Sequence, residues 1–210
     1  YSSSAPAALG HSLNFNAGRT GGKFRADYRF SMMSDTYDPN DMGYLRKNNE
    51  IEHSVDFSYN TYEPFGNIMT TRTSLDFSYG QLYNPRAFTT AEVRLDAMIL
   101  LMNFWSLSLD LELTPWGEDD YFEPRTPDMS MFYHRPAAFE ASFRGDTDRS
   151  KRFYIQGNAE YMKAWSDYGQ YGYEWSLQPE FKVGRRFSFS YSISVEDLIN
   201  DIGFVPGNPH

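Results

Sequence analysis

The chain has 210 residues, 19 Lys and Arg against 28 Asp and Glu for a formal net charge of −9, and no cysteine. That balance excludes a surface built for nucleic-acid phosphates, which needs clustered cations. The missing thiols exclude a disulfide framework, a thiolate zinc site and a cysteine nucleophile.

The dominant period along the chain is two residues. Phe24, Ala26, Tyr28, Phe30 and Met32 alternate with Arg25, Asp27, Arg29 and Ser31. Ile51, His53, Val55, Phe57 and Tyr59 alternate with Glu52, Ser54, Asp56 and Ser58. Leu75, Phe77 and Tyr79 then oppose Ser74, Asp76 and Ser78, and Val93, Leu95, Ala97 and Ile99 oppose Glu92, Arg94 and Asp96. Trp105, Leu107, Leu109, Leu111 and Leu113 oppose Ser106, Ser108, Asp110 and Glu112. Near the end, Phe187, Phe189, Tyr191, Ile193 and Val195 oppose Ser188, Ser190, Ser192, Ser194 and Glu196. Successive side chains of a strand leave opposite faces, so each segment reads as a strand with one apolar and one polar side. No segment carries the i, i+3, i+4, i+7 stripe of a helix. The longest apolar stretch, Ala97 to Met102, is six residues, far short of the roughly 18 that a membrane helix needs.

Weaker alternation near 11–18, 137–144, 151–163 and 173–183 brings the expected strands to ten. Most are about nine to twelve residues long, against about five or six in ordinary globular sheets. A tilted membrane-spanning strand needs roughly nine to eleven. Connections alternate in length: short at 18–23, 63–67, 102–103, 145–150 and 184–186, long at 34–50, 80–91, 114–136 and 166–172. In an up-and-down sheet successive turns fall at opposite ends, so the short turns share one rim and the long loops the other. Outer-membrane barrels have this asymmetry. The expected fold is therefore all-β, an antiparallel up-and-down transmembrane β-barrel. Pro179 resists the scheme, because proline cannot donate to a central ladder; a bulge or a shorter strand is expected there.

Alternation alone leaves open which face points inward. A lipocalin-like soluble barrel would wrap its apolar face around a small ligand, and a membrane barrel would turn that face to lipid. The polar face carries Arg25, Asp27, Arg29, Glu52, Asp56, Arg72, Asp76, Glu92, Arg94 and Asp96, mixed charges able to pair across the wall of a wet lumen. Tyr59, Tyr62, Tyr79, Tyr83, Trp105, Trp116, Trp165 and Trp175 fall near expected strand ends, and such rings are favoured at headgroup depth. Both features favour the membrane barrel, with these ten charges lining its lumen.

The segment Asp38-Pro39-Asn40-Asp41-Met42-Gly43-Tyr44-Leu45 resembles an N-D-(L/M)-G-(F/Y)-L motif, matched at Asn40, Asp41, Gly43 and Leu45. The motif belongs to a family of large Bacteroidota-type outer-membrane proteins with a carbohydrate-binding-like N-terminal domain and a C-terminal barrel region of unknown function. The resemblance implies that residues 1–210 are barrel region and that the N-terminal domain lies elsewhere, so no sugar-binding residue carries over. A Gly/Pro-rich stretch from Gly203 to His210 and the abrupt start at Tyr1 add the expectation that the ten strands are part of a larger barrel.

Catalytic motifs fail on spacing. Gly18 to Phe24 echoes a phosphate loop, but Phe24 stands where Ser or Thr must bind magnesium; a hairpin turn is expected. Asp38 to Gly43 begins like a calcium loop, yet Asn49 occupies the place of the bidentate Glu. The histidines at 11, 53, 134 and 210 lack zinc spacing, and no G-x-S-x-G elbow exists. Neither catalytic residues, metal ligands nor a cofactor are expected, and the chain is read as no enzyme. The expected function is a structural, transport or envelope-assembly role in the bacterial outer membrane, with the lipid bilayer and other outer-membrane proteins as partners. The alternative is a glycan-binding surface receptor acting through long loops at Trp116, Tyr121 and Tyr171.

Overall fold

A computed structural model describes residues 9–37, 48–124, 129–184 and 186–200. The motif at 40–45 and the acids Asp38 and Asp41 lie outside the described residues. Thirteen strands follow in chain order: β1 (Ser12–Arg19), β2 (Phe24–Met33), β3 (Glu50–Thr61), β4 (Ile68–Leu82), β5 (Phe88–Leu101), β6 (Ser106–Thr114), β7 (Glu118–Asp120), β8 (Tyr133–Arg135), β9 (Ala138–Asp146), β10 (Phe153–Ala164), β11 (Tyr171–Val183), β12 (Phe187–Ser190) and β13 (Ile193–Ile199). No helix occurs among the described residues.

All thirteen strands form one antiparallel sheet, with the order β1-β2-β3-β4-β5-β6-β9-β10-β11-β12 and β13 also on β11. Each long strand pairs with its neighbour in sequence, apart from the β7–β8 hairpin inserted between β6 and β9. The sheet is all-β and up-and-down, and it is open. Among the described residues neither β1 nor the β12–β13 edge carries a further strand.

Three details differ from the sequence expectation. First, β4 and β5 run to 15 and 14 residues, so the connection expected over 80–91 is only the turn 83–87, closed by Leu82 N–H donating to Ala87 O at 2.8 Å. The strands continue through a register shift at Gly80/Gln81. Glycine permits this, because a Cβ on Gly80 would sit 2.7 Å from Thr89 Oγ1. Second, the long connection between β6 and β9 holds its own hairpin, β7–β8. Third, β11 is not shortened at Pro179; the interruption falls on its partner. Glu180 faces Ser190 and Leu177 faces Ile193, so β12 and β13 keep one register and the gap between them lies opposite the proline. Tyr191 N–H donates to Pro179 O at 3.1 Å, but proline has no N–H to return.

Among the described residues no second layer covers the sheet. The buried apolar residues are Ile51, Leu82, Ala91, Tyr121 and Tyr154, too few for the core of a sandwich. Ile51, Leu82 and Ala91 sit at the loop ends of β3, β4 and β5, beside a tie between two connections. Asn49, buried and left-handed at φ 63, accepts from Asn84 N–H at 2.8 Å and donates to Asn84 O at 2.7 Å. Burial is thus concentrated at the rims, with Thr61, Asp148 and Tyr154 at the short-turn end.

Candidate functional site

Register assembles the alternating residues into two unlike faces. Across the apolar side, Ala26, Phe57, Leu75, Leu95 and Leu111 stand side by side on β2 through β6. The same row continues through Ala141, Tyr161 and Tyr173 on β9, β10 and β11. Among the described residues nothing covers this row: Phe57 remains 38% exposed, Tyr161 40% and Tyr173 39%. Contiguous exposed apolar surface of this extent marks a contact with something other than water.

Two polar pairs on this face are tied up locally. Tyr28 OH and His53 Nδ1 share a hydrogen bond of 2.9 Å, with Phe30 and Tyr79 rings beside the imidazole. Thr61 and Thr71, paired near the short turns, hydrogen-bond through their hydroxyls at 2.9 Å. Towards the loop ends, Tyr79, Phe88 and Trp116 form a chain of rings at 6.0 and 6.4 Å.

The ten charges singled out from sequence share the opposite face. Asp27, Asp56, Asp76, Arg94, Glu112 and Glu140 form one cross-strand row on β2 through β9. Arg94 bridges Glu92 at 3.0 Å and Glu112 at 2.5 Å, and Arg29 pairs with Asp27 at 3.2 Å. Arg25 donates instead to Tyr62 OH at 3.2 Å. Asp56 and Asp76 face each other directly, so pairing of opposite signs is partial. Depressions in the surface lie mainly on this side. One of about 490 Å3 is lined by Asn14, Asn16, Arg29, Glu52, Ser54 and Ser78 among others.

The loop positions proposed for sugars do not converge. Trp116 is 67% exposed and packs edge-on against Phe88. Tyr121 is buried against Phe132, with ring centroids 4.9 Å apart, so its face is not open to a sugar. Burial, with Asp119 nearby, raises its phenol pKa. Tyr171 lies on β11, beyond β9 and β10 from the end of β6. The β7–β8 hairpin between them is braced by Glu118–Arg135 at 3.1 Å and Asp119–His134 at 2.6 Å, contacts that spacing alone did not reveal. Gly18 to Phe24 is a hairpin turn, as expected. Among the described residues no His/Asp/Glu group is arranged to hold a metal ion.

No curated protein and no solved structure matches this chain. A family model does, over residues 1–209, and its description is a domain of unknown function (DUF5916). That description names no location, partner or reaction. The match spans nearly the whole chain, and the chain belongs to the DUF5916 family.

Proposed function

We propose that the chain is wall of an integral outer-membrane β-barrel with a structural, transport or envelope-assembly role and no catalysis. The observation that carries the reading is the uncovered apolar face running from β1 to β13 behind a face of carboxylates, arginines and serines. A soluble sheet hides such a face under a second layer, whereas hydrocarbon needs no cover for it. The long strands suit a bilayer core of about 30 Å when tilted. Exposed rings at both rims, Tyr59 and Trp105 at the short turns and Tyr79 and Trp116 at the loops, suit headgroup depth.

Closure follows from the same physics. In hydrocarbon each unpaired N–H or C=O costs several kcal/mol, so the edges at β1 and β12–β13 pair with further strands. The reading therefore places this sheet in a larger barrel, with the bilayer and neighbouring outer-membrane proteins as partners and a Gram-negative envelope as its setting.

Extraction is the direct test. The full-length protein should require detergent to stay monodisperse and should fold into lipid vesicles. Stable monodispersity in plain buffer would reject the reading in favour of a soluble ligand-binding barrel. Planar-bilayer conductance then separates a porin-like lumen from a plugged wall. The glycan-receptor alternative rests on Trp116 and Tyr171, the two rings of the three that stand exposed; glycan-array binding lost on Trp116→Ala would support it.

A further inference from the structure

One stretch of the apolar face lacks side chains. Gly145 of β9 lies opposite Gly157 of β10, with Leu107 of β6 beyond one and Leu177 of β11 beyond the other. The pair leaves a trough of about 340 Å3 walled by Trp105, Leu107, Phe143, Ile155, Ala159 and Leu177. Along β10, Ile155 to Ala159 spans about 13 Å at the ordinary strand rise. Towards the short turns the trough ends at Asp146 and Thr147, where the turn 147–152 begins.

That turn is basic. It holds Arg149, Lys151 and Arg152, and Lys182 Nζ donates to Arg149 O at 2.5 Å, bringing in the next turn with Arg186. The one carboxylate in these turns, Asp148, is already engaged: it accepts from Ser150 N–H at 2.8 Å and faces Lys151 Nζ at 3.7 Å. Arg149 lays its guanidinium over the Tyr154 ring, 5.1 Å from the centroid, on the polar face, which leaves Lys151, Arg152 and Arg186 as the cations of the turns beyond the end of the dry trough.

We propose that trough and turns together bind one anionic glycerophospholipid, an acyl chain lying over Gly145 and Gly157 and the phosphate meeting the cations. The inference rests on the membrane reading above. The walls offer a polymethylene chain apolar contact without leaving a polar group unmet. Basic clusters at the edge of a membrane segment recognise anionic headgroups, and Trp105 stands at the boundary that indoles favour. A knob from a neighbouring protein would fill the trough without using the charge.

Native mass spectrometry of the full-length protein, folded in detergent with equal phosphatidylglycerol and phosphatidylcholine, tests this. Retained lipid should favour phosphatidylglycerol by about tenfold, given roughly 1 kcal/mol per cation near a headgroup. Gly157→Leu should cut retention of both lipids several-fold; a Cβ there meets Leu177 Cδ1 at 3.3 Å and Ser176 O at 3.5 Å, contacts that small shifts accommodate. Should that variant not fold, Gly145→Val fills the trough from the other side, where the nearest atom is Leu107 Cδ2 at 3.5 Å. Lys151→Gln with Arg152→Gln should keep retention and bring the two lipids towards parity. Equal retention of both lipids by the unmodified protein, or unchanged retention in a folded filled variant, overturns the site while leaving the barrel reading intact. A chain that folds without detergent and retains no lipid overturns both.

Discussion

The two halves of the polar face are built differently. Across β2 to β6 arginines interrupt the acids: Arg94 stands between Asp76 and Glu112 in the cross-strand row and bonds the latter. Across β10 to β13 carboxylate faces carboxylate, since Glu160, Glu174 and Glu196 are successive partners on β10, β11 and β13. The ladders differ in the same sense. β3 and β4 pair without interruption through twelve positions, whereas the last column is split opposite Pro179. The first half also sets Asp27, Asp56 and Asp76 side by side, but it holds the ion pairs of Arg29 and Arg94 and an unbroken β3–β4 ladder; the second has a glutamate row with no arginine in it and a split last column.

The largest expected effect lies on the face that the halves share. Leu95, between Leu75 and Leu111, sits amid the apolar row, and Leu95→Arg should cost about 2–4 kcal/mol when measured in lipid vesicles. Ser74→Arg, one position over on the polar face, should cost under about 1 kcal/mol in the same assay. Equal costs for the two would mean that the apolar row does not face hydrocarbon, and the contrast between halves would then concern an ordinary surface.

Next in size is the ladder. Pro179→Thr restores a donor towards Tyr191 and should stabilise the protein by about 1 kcal/mol, a typical net hydrogen bond. Amide exchange should slow at residues 190–193 and stay unchanged in β3 and β4. Slowing throughout the sheet would indicate that the split does not act locally.

Charge comes third. Arg94→Gln removes two ion pairs and leaves Glu92 and Glu112 unopposed; because the guanidinium is about half exposed, the loss should be only about 0.5 kcal/mol. Glu174→Gln should act in the opposite direction, gaining a few tenths of a kcal/mol by relieving repulsion from Glu160 and Glu196. Added salt should shrink both effects. Destabilisation by Glu174→Gln would show that the carboxylate row is held by something bound to it.

Much of this contrast was legible in the sequence, because strand faces obey a period that sequence displays. The ten charges fell on one side by parity alone, and ten columns of strand were foreseen. Pairing was not legible, since it depends on register: that Glu174 meets Glu160, or Gly145 meets Gly157, follows only once neighbouring strands are aligned. Loop length misled for a related reason. Gly80 and Gln81 look like the start of a loop, but the small glycine lets β4 slide past Thr89 and continue. The β7–β8 hairpin escaped notice because three residues per strand are too few to display alternation.

The smallest expected effect belongs to the turn that joins β9 to β10 in the second half. Asp148 lies outside the strands, and hydrogen bonds from Ser150, with Lys151 adding its charge, hold its carboxyl below the usual carboxylate range. The folded turn therefore favours the ionised form. Its contribution is fully present above the ordinary carboxylate pKa and disappears as the pH falls through the lowered folded value. Thermal stability of the unmodified protein relative to Asp148→Asn should accordingly show a small advantage at neutral pH that closes only under strongly acidic conditions. An advantage that instead grew on acidification would place the protonated carboxyl, rather than the anion, in the bonds from Ser150, and the cations beside the trough would then lack their internal counter-charge.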